Sequence, residues 1–155
     1  MSHPSYAITV LGSADLTMMK ELLAVYGRAF EDTGTYGDAI PRDSYLARLL
    51  AKPDFITIVA LFDGTVVGGL SAYVLEKFEQ ERSEIYIYDL AVAEPHRRRG
   101  VATALIRALQ EVGRTRGAYV MFVQADRGDD PAIALYTRLG TREDVHHFDI
   151  AMTPV

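Results

Sequence analysis

Between Glu84 and Leu109 the chain changes its period. EIYIYDLAV alternates as a strand does, AEPHRRRG is a short basic connector, and VATALIRAL repeats its apolar residues at helical spacing. The helix, read as Gly100 to Arg116, places Val101, Leu105, Leu109 and Val112 on one face, so it must pack back onto a sheet. A strand that feeds such a helix through a tight loop commits the chain to a layered α/β architecture. The junction also has chemistry. The first turn of a helix carries unsatisfied N–H groups and the positive end of the helix dipole, and so attracts anions. Gly100 removes a side chain where a phosphate must come close, Arg97, Arg98 and Arg99 add positive charge, and the Thr103 hydroxyl falls within the first turn. The same residues also suit a solvent-facing basic loop ahead of a packing helix. The sequence contains no GxGxxG and no GxxxxGK(S/T), which sets aside the common nucleotide-binding loops.

The remaining elements follow from pattern. Tyr6 to Leu11 reads as a strand, and Ser13 is placed to cap a helix over Ala14 to Phe30, with Leu16, Met19, Leu23, Tyr26 and Phe30 as its apolar stripe. Glu31 to Pro41 has two glycines, a proline and no period, and reads as a loop. A helix over Arg42 to Ala51 is stopped by Pro53. Phe55 to Phe62, the turn Asp63-Gly64 and Val66 to Leu75 form an antiparallel hairpin, whose Gly68-Gly69 pair signals a bulge or a close backbone approach. Lys77 to Ser83 is a polar connector into the Glu84 strand. Tyr119 to Ala125 is a further strand, parallel to that one because a helix joins them. Pro131 opens a helix that stops at Gly140, and Glu143 to Ile150 reads as a last, weaker strand. The order predicts an α/β domain with a mixed, mostly antiparallel sheet flanked by helices, and no linker or repeat divides residues 1–155.

Composition narrows the partners. The net charge is −5, which argues against nucleic acid, since phosphate backbones demand a basic face. There are no cysteines, so disulfides and thiolate metal sites are excluded. His3 lies in a tail, His96 beside the basic loop, and His146-His147 share no metal-like spacing with other ligands, so no metal is expected. The N-terminus lacks the features of an export signal and no apolar run approaches the ~20 residues of a membrane span, which places the protein in the cytoplasm. The acids cluster at Glu76–Asp89 and at Asp126–Asp130. Strand alternation sets Ile85, Ile87 and Asp89 on one face and Tyr86, Tyr88 and Leu90 on the other. A carboxylate inside an otherwise apolar strand is costly unless it is satisfied by local hydrogen bonds or serves a function.

Arg97, Gly100 and Ala102 fall on the Q/R-x-x-G-x-G/A pattern, so the segment resembles motif A of the GCN5-related N-acetyltransferases (GNAT). PAIALYTRLG, residues 131–140, resembles that family's motif B, with Tyr136 at its tyrosine. FEDTGTY, KFEQERSEIYIYDLAV, YVMFVQADRGDDPAIALYTRLG and HFDI further resemble the type I aminoglycoside 3-N-acetyltransferases over nearly the whole chain. Two departures from the wider superfamily are Asp129, where an asparagine is usual, and Gly140-Thr141, where Gly-Phe is usual.

The resemblance implies that acetyl-CoA lies in a V-shaped splay between the fourth and fifth strands. Its pantetheine arm would pair with the backbone of Leu90, Ala91 and Val92. Its pyrophosphate would meet Arg97, Arg98, Arg99, Gly100, Val101, Ala102 and Thr103. Asp89 would bind the acceptor ammonium and take its proton, and Tyr136 would protonate the leaving thiolate. A polycationic antibiotic would be lined by Asp32, Tyr36, Glu84, Asp126, Asp129 and Asp130. The expected protein is a homodimeric antibiotic-resistance enzyme that acetylates the 3-amino group of the 2-deoxystreptamine ring. Two other readings stay open: acetylation of a polyamine or other small cationic amine, and a non-catalytic acyl-CoA-binding protein.

Overall fold

The computed structural model describes residues 5–153, so His3 lies outside it. The chain divides into two compact units, one ending at Gln124 and the other beginning at Ala125.

The first unit is a five-stranded sheet in the order β1-β2-β3-β4-β5, formed by Ala7–Val10, Phe55–Phe62, Thr65–Glu76, Ser83–Val92 and Ala118–Val123. The first three pairings are antiparallel and the β4–β5 pairing is parallel, as expected for a mixed sheet. Helices α1 (Leu16–Ala29), α2 (Thr33–Gly37) and α3 (Asp43–Ala51) lie between β1 and β2, and α4 (Val101–Thr115) joins β4 to β5. The β2–β3 turn is the expected Asp63-Gly64, both at positive φ (49° and 77°), which matches the twist of a two-residue hairpin.

Gly69 sets how closely α1 approaches the sheet. A Cβ there would stand 2.6 Å from Leu22 Cδ1 and 2.7 Å from the Ile58 carbonyl oxygen. Leu22 fills that space and is buried with Met19, Val25 and Tyr26, so the expected stripe holds at Met19 and Tyr26 while Leu22 takes the inner place expected of the half-buried Leu23. Burial of each such side chain contributes roughly 1.5–3 kcal/mol. The helix begins at Leu16 behind Asp15, whose carboxylate accepts from the Gly12 N–H, so Ser13 is not its cap. On the other face α4 buries Val101, Leu105, Ile106 and Leu109, and Ile85 reaches towards Gly113.

Three further expectations are corrected. The stretch after α1 is not wholly loop: Asp32 accepts from the Thr35 N–H at 3.1 Å and nucleates α2 despite its two glycines. Residues 143–150 form no strand, and Val145, Phe148 and Ile150 are exposed; alternation without a neighbouring edge gives no ladder. The third concerns β4. Ser71 pairs with Asp89 but Ala72 pairs with Ile87, so Tyr88 is an extra residue, a β-bulge. Opposed residues of an antiparallel pair share a face. Asp89 therefore faces the same way as Ser71 and Tyr73, towards α1, and Ile85 and Ile87 face the other way.

The second unit contains α5 (Asp130–Leu139), capped by Asp129, which accepts from the Ala132 N–H at 3.3 Å, with Pro131 in its first turn. Residues 140–153 that follow carry no helix or strand.

Candidate active site

Two features of β4 meet near its C-terminal end. The first is an open edge. Parallel pairing with β5 runs from Ser83 to Ile87, opposite Val123, and stops there; Asp89 to Val92 continue to pair with β3 alone. The backbone of Leu90, Ala91 and Val92 thus has one edge that pairs with no strand among the described residues. The chain then makes a single 3-10 turn over Glu94–His96 and enters α4 through the basic loop. Gly100 caps α4 at φ 79° with nothing within 4 Å of where a Cβ would stand, and Arg98 also takes positive φ at 61°. Left-handed geometry is natural for glycine and unfavourable for arginine, so the loop is a shaped turn. Arg98, Arg99 and Gly100 are exposed, Val101 is buried, and Ala102 and Thr103 are partly exposed on the first turn. Arg97 behaves differently from its neighbours. Its Nε donates to the Val92 carbonyl at 2.8 Å, tying the loop back to the strand. These first-turn N–H groups and exposed guanidinium groups fit a polyphosphate.

The second feature is Asp89. The bulge turns it towards α1 and α2, where both of its oxygens accept hydrogen bonds: Tyr36 Oη donates to Oδ1 at 2.9 Å and Ser71 Oγ donates to Oδ2 at 2.8 Å. Behind Ser71, Tyr26 Oη donates to Ser71 Oγ at a long 3.5 Å. Tyr36 is held by the aromatic rings of Tyr26 and Phe30, at centroid distances of 5.7 Å and 5.5 Å. Burial, the hydrogen bond to Asp89 and the charge of Asp89 push the Tyr36 phenol well above the usual tyrosine range. Burial raises Tyr26 strongly, and burial together with the Asp89 charge raises Tyr73 and Tyr86. Among the described residues no Lys, Arg or His forms an ion pair with Asp89. It is a half-buried carboxylate held by hydroxyls.

The other expected residues are distributed along the chain. Asp32 is exposed and engaged in capping α2, and the Thr35 backbone hydrogen bond holds its carboxyl below the usual value. Glu84 lies at the opposite end of β4 from Asp89. It accepts from Tyr119 Oη at 2.7 Å and pairs with Lys77 at 3.9 Å. In the second unit, Asp126 and Asp129 frame a turn closed by Asp129 N–H to Asp126 C=O, and Asp130 opens α5. Tyr136 lies on α5, and its phenol is raised by burial and by the charge of Asp129. Ser71 and Tyr26 were not among the expected site residues. The available signal was Ser71, a lone hydroxyl in the apolar run VVGGLSAYV, but only the β3–β4 register connects it with Asp89.

Residues 17–141 match the model of the acetyltransferase (GNAT) family. The chain belongs to this family. The structure is similar to that of an aminoglycoside acetyltransferase, HMB0005, from an uncultured soil metagenomic sample, with 56% identity and a TM-score of 0.94 over 96% of this chain and 99% of that one. It is also similar to meta-AAC0020, a soil-metagenome aminoglycoside acetyltransferase solved with sisomicin, at 33% identity and a TM-score of 0.88 over 96% and 97% of the two chains. In sequence it is 33% identical to the Arabidopsis thaliana N-terminal acetyltransferase A complex catalytic subunit NAA10, over 60% of this chain and 48% of that protein. The chain thus spans less than half the length of that curated relative.

Proposed function

We propose that the protein is one acetyltransferase domain over residues 1–155 that transfers an acetyl group from acetyl-CoA directly to an amine of an aminoglycoside, the 3-amino group of the 2-deoxystreptamine ring. The observation that carries this is Asp89: a half-buried carboxylate with two hydroxyl donors and no cation, just before the open edge of β4. An alkylammonium supplies the missing charge partner. The likeness to the two soil-metagenome aminoglycoside acetyltransferases supports an aminoglycoside as the acceptor.

In this reading the open backbone of Leu90–Val92 pairs with the pantetheine arm, and the first turn of α4, with Arg98 and Arg99, takes the pyrophosphate. Arg97 shapes that loop from behind. An N–H near Ala91 stabilises the oxyanion formed when the amine attacks the thioester. The amine must be neutral to attack. From about 10.4 for an alkylammonium to about 3.9 for a carboxyl is ~6.5 units, or ~9 kcal/mol, so Asp89 contributes chiefly by pairing and orienting the amine while water carries the proton away. Tyr136, whose raised phenol stays protonated at neutral pH, donates to the leaving thiolate. Asp32, Tyr36, Asp126, Asp129 and Asp130 are the proposed acceptor contacts, and Glu84, expected among them, is left out because Tyr119 and Lys77 already hold its carboxylate. The protein works as a cytoplasmic resistance enzyme and as a homodimer, for which the exposed Val145, Phe148, Ile150 and Met152 offer apolar surface.

The test is thiol release from acetyl-CoA with gentamicin, sisomicin, spermidine and a peptide N-terminus, followed by NMR location of the new amide. The proposal expects turnover of the aminoglycosides and acetylation at N3. Preferred turnover of spermidine or of the peptide would overturn the substrate. Coenzyme binding without turnover of any amine would overturn the enzyme.

A further inference from the structure

Asp89 projects from a bulge, and a bulged strand is locally less constrained than a regular one. A carboxylate that must meet an ammonium in one geometry needs its plane fixed by something other than the ladder. The structure provides two fixings from two elements. Ser71 stands directly across the β3–β4 ladder and reaches Oδ2, and Tyr36 comes from α2 and reaches Oδ1. Each donor is itself held. Ser71 is buried and accepts from Tyr26, while Tyr36 is wedged against Tyr26 and Phe30 of α1.

We propose that Ser71 and Tyr36 are positioning residues for Asp89. Together they take up one lone pair on each carboxylate oxygen and fix the group's plane, leaving its other lone pairs for the acceptor ammonium. This rests on the reading of Asp89 as the ammonium-binding group. It adds Ser71 to the expected residues and gives Tyr36 a role towards Asp89, and it explains the bulge: without the extra residue Tyr88, Asp89 would face away from both donors. Hydrogen bonds from neutral donors to an ionised carboxylate favour the ionised form. Their loss therefore weakens the hold on the acceptor ammonium and leaves the coenzyme side untouched.

From α1, α2, β3 and β4 the groups facing Asp89 are the phenols of Tyr26, Tyr36, Tyr73, Tyr86 and Tyr88, and four of these are raised. Asp32, at the start of α2, titrates below the usual carboxyl value.

The experiment measures kcat and the KM of each substrate, with gentamicin and acetyl-CoA, for Tyr36→Phe, Ser71→Ala, Ser71→Thr and Asp89→Asn. Tyr36→Phe keeps the aromatic packing and tests the proposal even where Ser71→Ala fails to fold. The expected result is a loss of about 10-fold in kcat/KM for gentamicin in Tyr36→Phe and in Ser71→Ala, since each removes one hydrogen bond to a charged group. The KM for acetyl-CoA is unchanged, and the hydroxyl of Ser71→Thr restores activity. Wild-type kinetics in Tyr36→Phe, alongside an inactive Asp89→Asn, would overturn the positioning role and leave the role of Asp89 standing. Wild-type activity in Asp89→Asn would overturn both.

Discussion

Glu84 and Asp89 stand on the same strand, and by residue type and neighbourhood in sequence they are near equivalents. The structure separates them. Glu84, at the start of β4, accepts from Tyr119 and pairs with Lys77, so its charge already has a partner within the protein. Asp89, beyond the bulge, has two hydroxyl donors and, among the described residues, no ion pair. Five steps along a strand amount to about 16 Å, so the two carboxylates do not bear on one amine. The lesson is that a site for an external cation is marked less by the presence of an acid than by how the fold satisfies it. Ion pairs near the surface, such as the partly exposed Glu84–Lys77 pair at 3.9 Å, contribute on the order of 0–1 kcal/mol. A half-buried carboxylate held only by neutral donors still needs a positive charge.

This contrast can be broken at several points. The largest expected effect is that of Asp89→Asn, which lowers kcat/KM for the aminoglycoside by at least ~100-fold in steady-state assays, the scale of a lost acid–base partner. Tyr136→Phe comes next, with a loss of about 10–100-fold in kcat and little change in either KM. Its pH profile sharpens the picture from the other side. A raised phenol remains protonated beyond the ordinary tyrosine value of about 10, so wild-type kcat falls only at still higher pH, and that fall disappears in the Phe variant. Asp129→Asn or Asp130→Asn raises the KM of the drug several-fold and leaves that of acetyl-CoA alone; equal changes in both would remove these acids from the acceptor site. The smallest effect is that of Glu84→Gln, within about twofold on every constant, because Lys77 and Tyr119 already occupy its carboxylate.

Much of this was legible in the sequence because it depends on local pattern. The change of period after Val92 gave β4 and α4, Asp63-Gly64 gave the hairpin, and Gly68-Gly69 marked the bulge near Val67 and the close approach of α1. The turn from Arg97 into the first turn of α4 was readable because it is built from contiguous residues. What escaped depends on pairing between distant segments. Two-residue alternation put Asp89 with Ile85 and Ile87, but one inserted residue, Tyr88, reversed its face, and nothing in IYIYDLAV announces the insertion. The link from Ser71 to Asp89 exists only in the register of β3 against β4. The α2 turn rests on one side-chain cap within a glycine-containing stretch. Residues 143–150 have the alternation of a strand without an edge to pair with.

The central claim is that the acceptor's ammonium is received at Asp89 and not at Glu84. Calorimetric titration of sisomicin into the coenzyme A-saturated protein tests this without the chemical step. Loss of one charge-assisted contact is worth roughly 1.5–3 kcal/mol. The account predicts that Asp89→Asn weakens binding by about 10-fold or more, while Glu84→Gln binds within about twofold of the wild type. Equal affinities in the two variants, or a greater loss in Glu84→Gln, would contradict it.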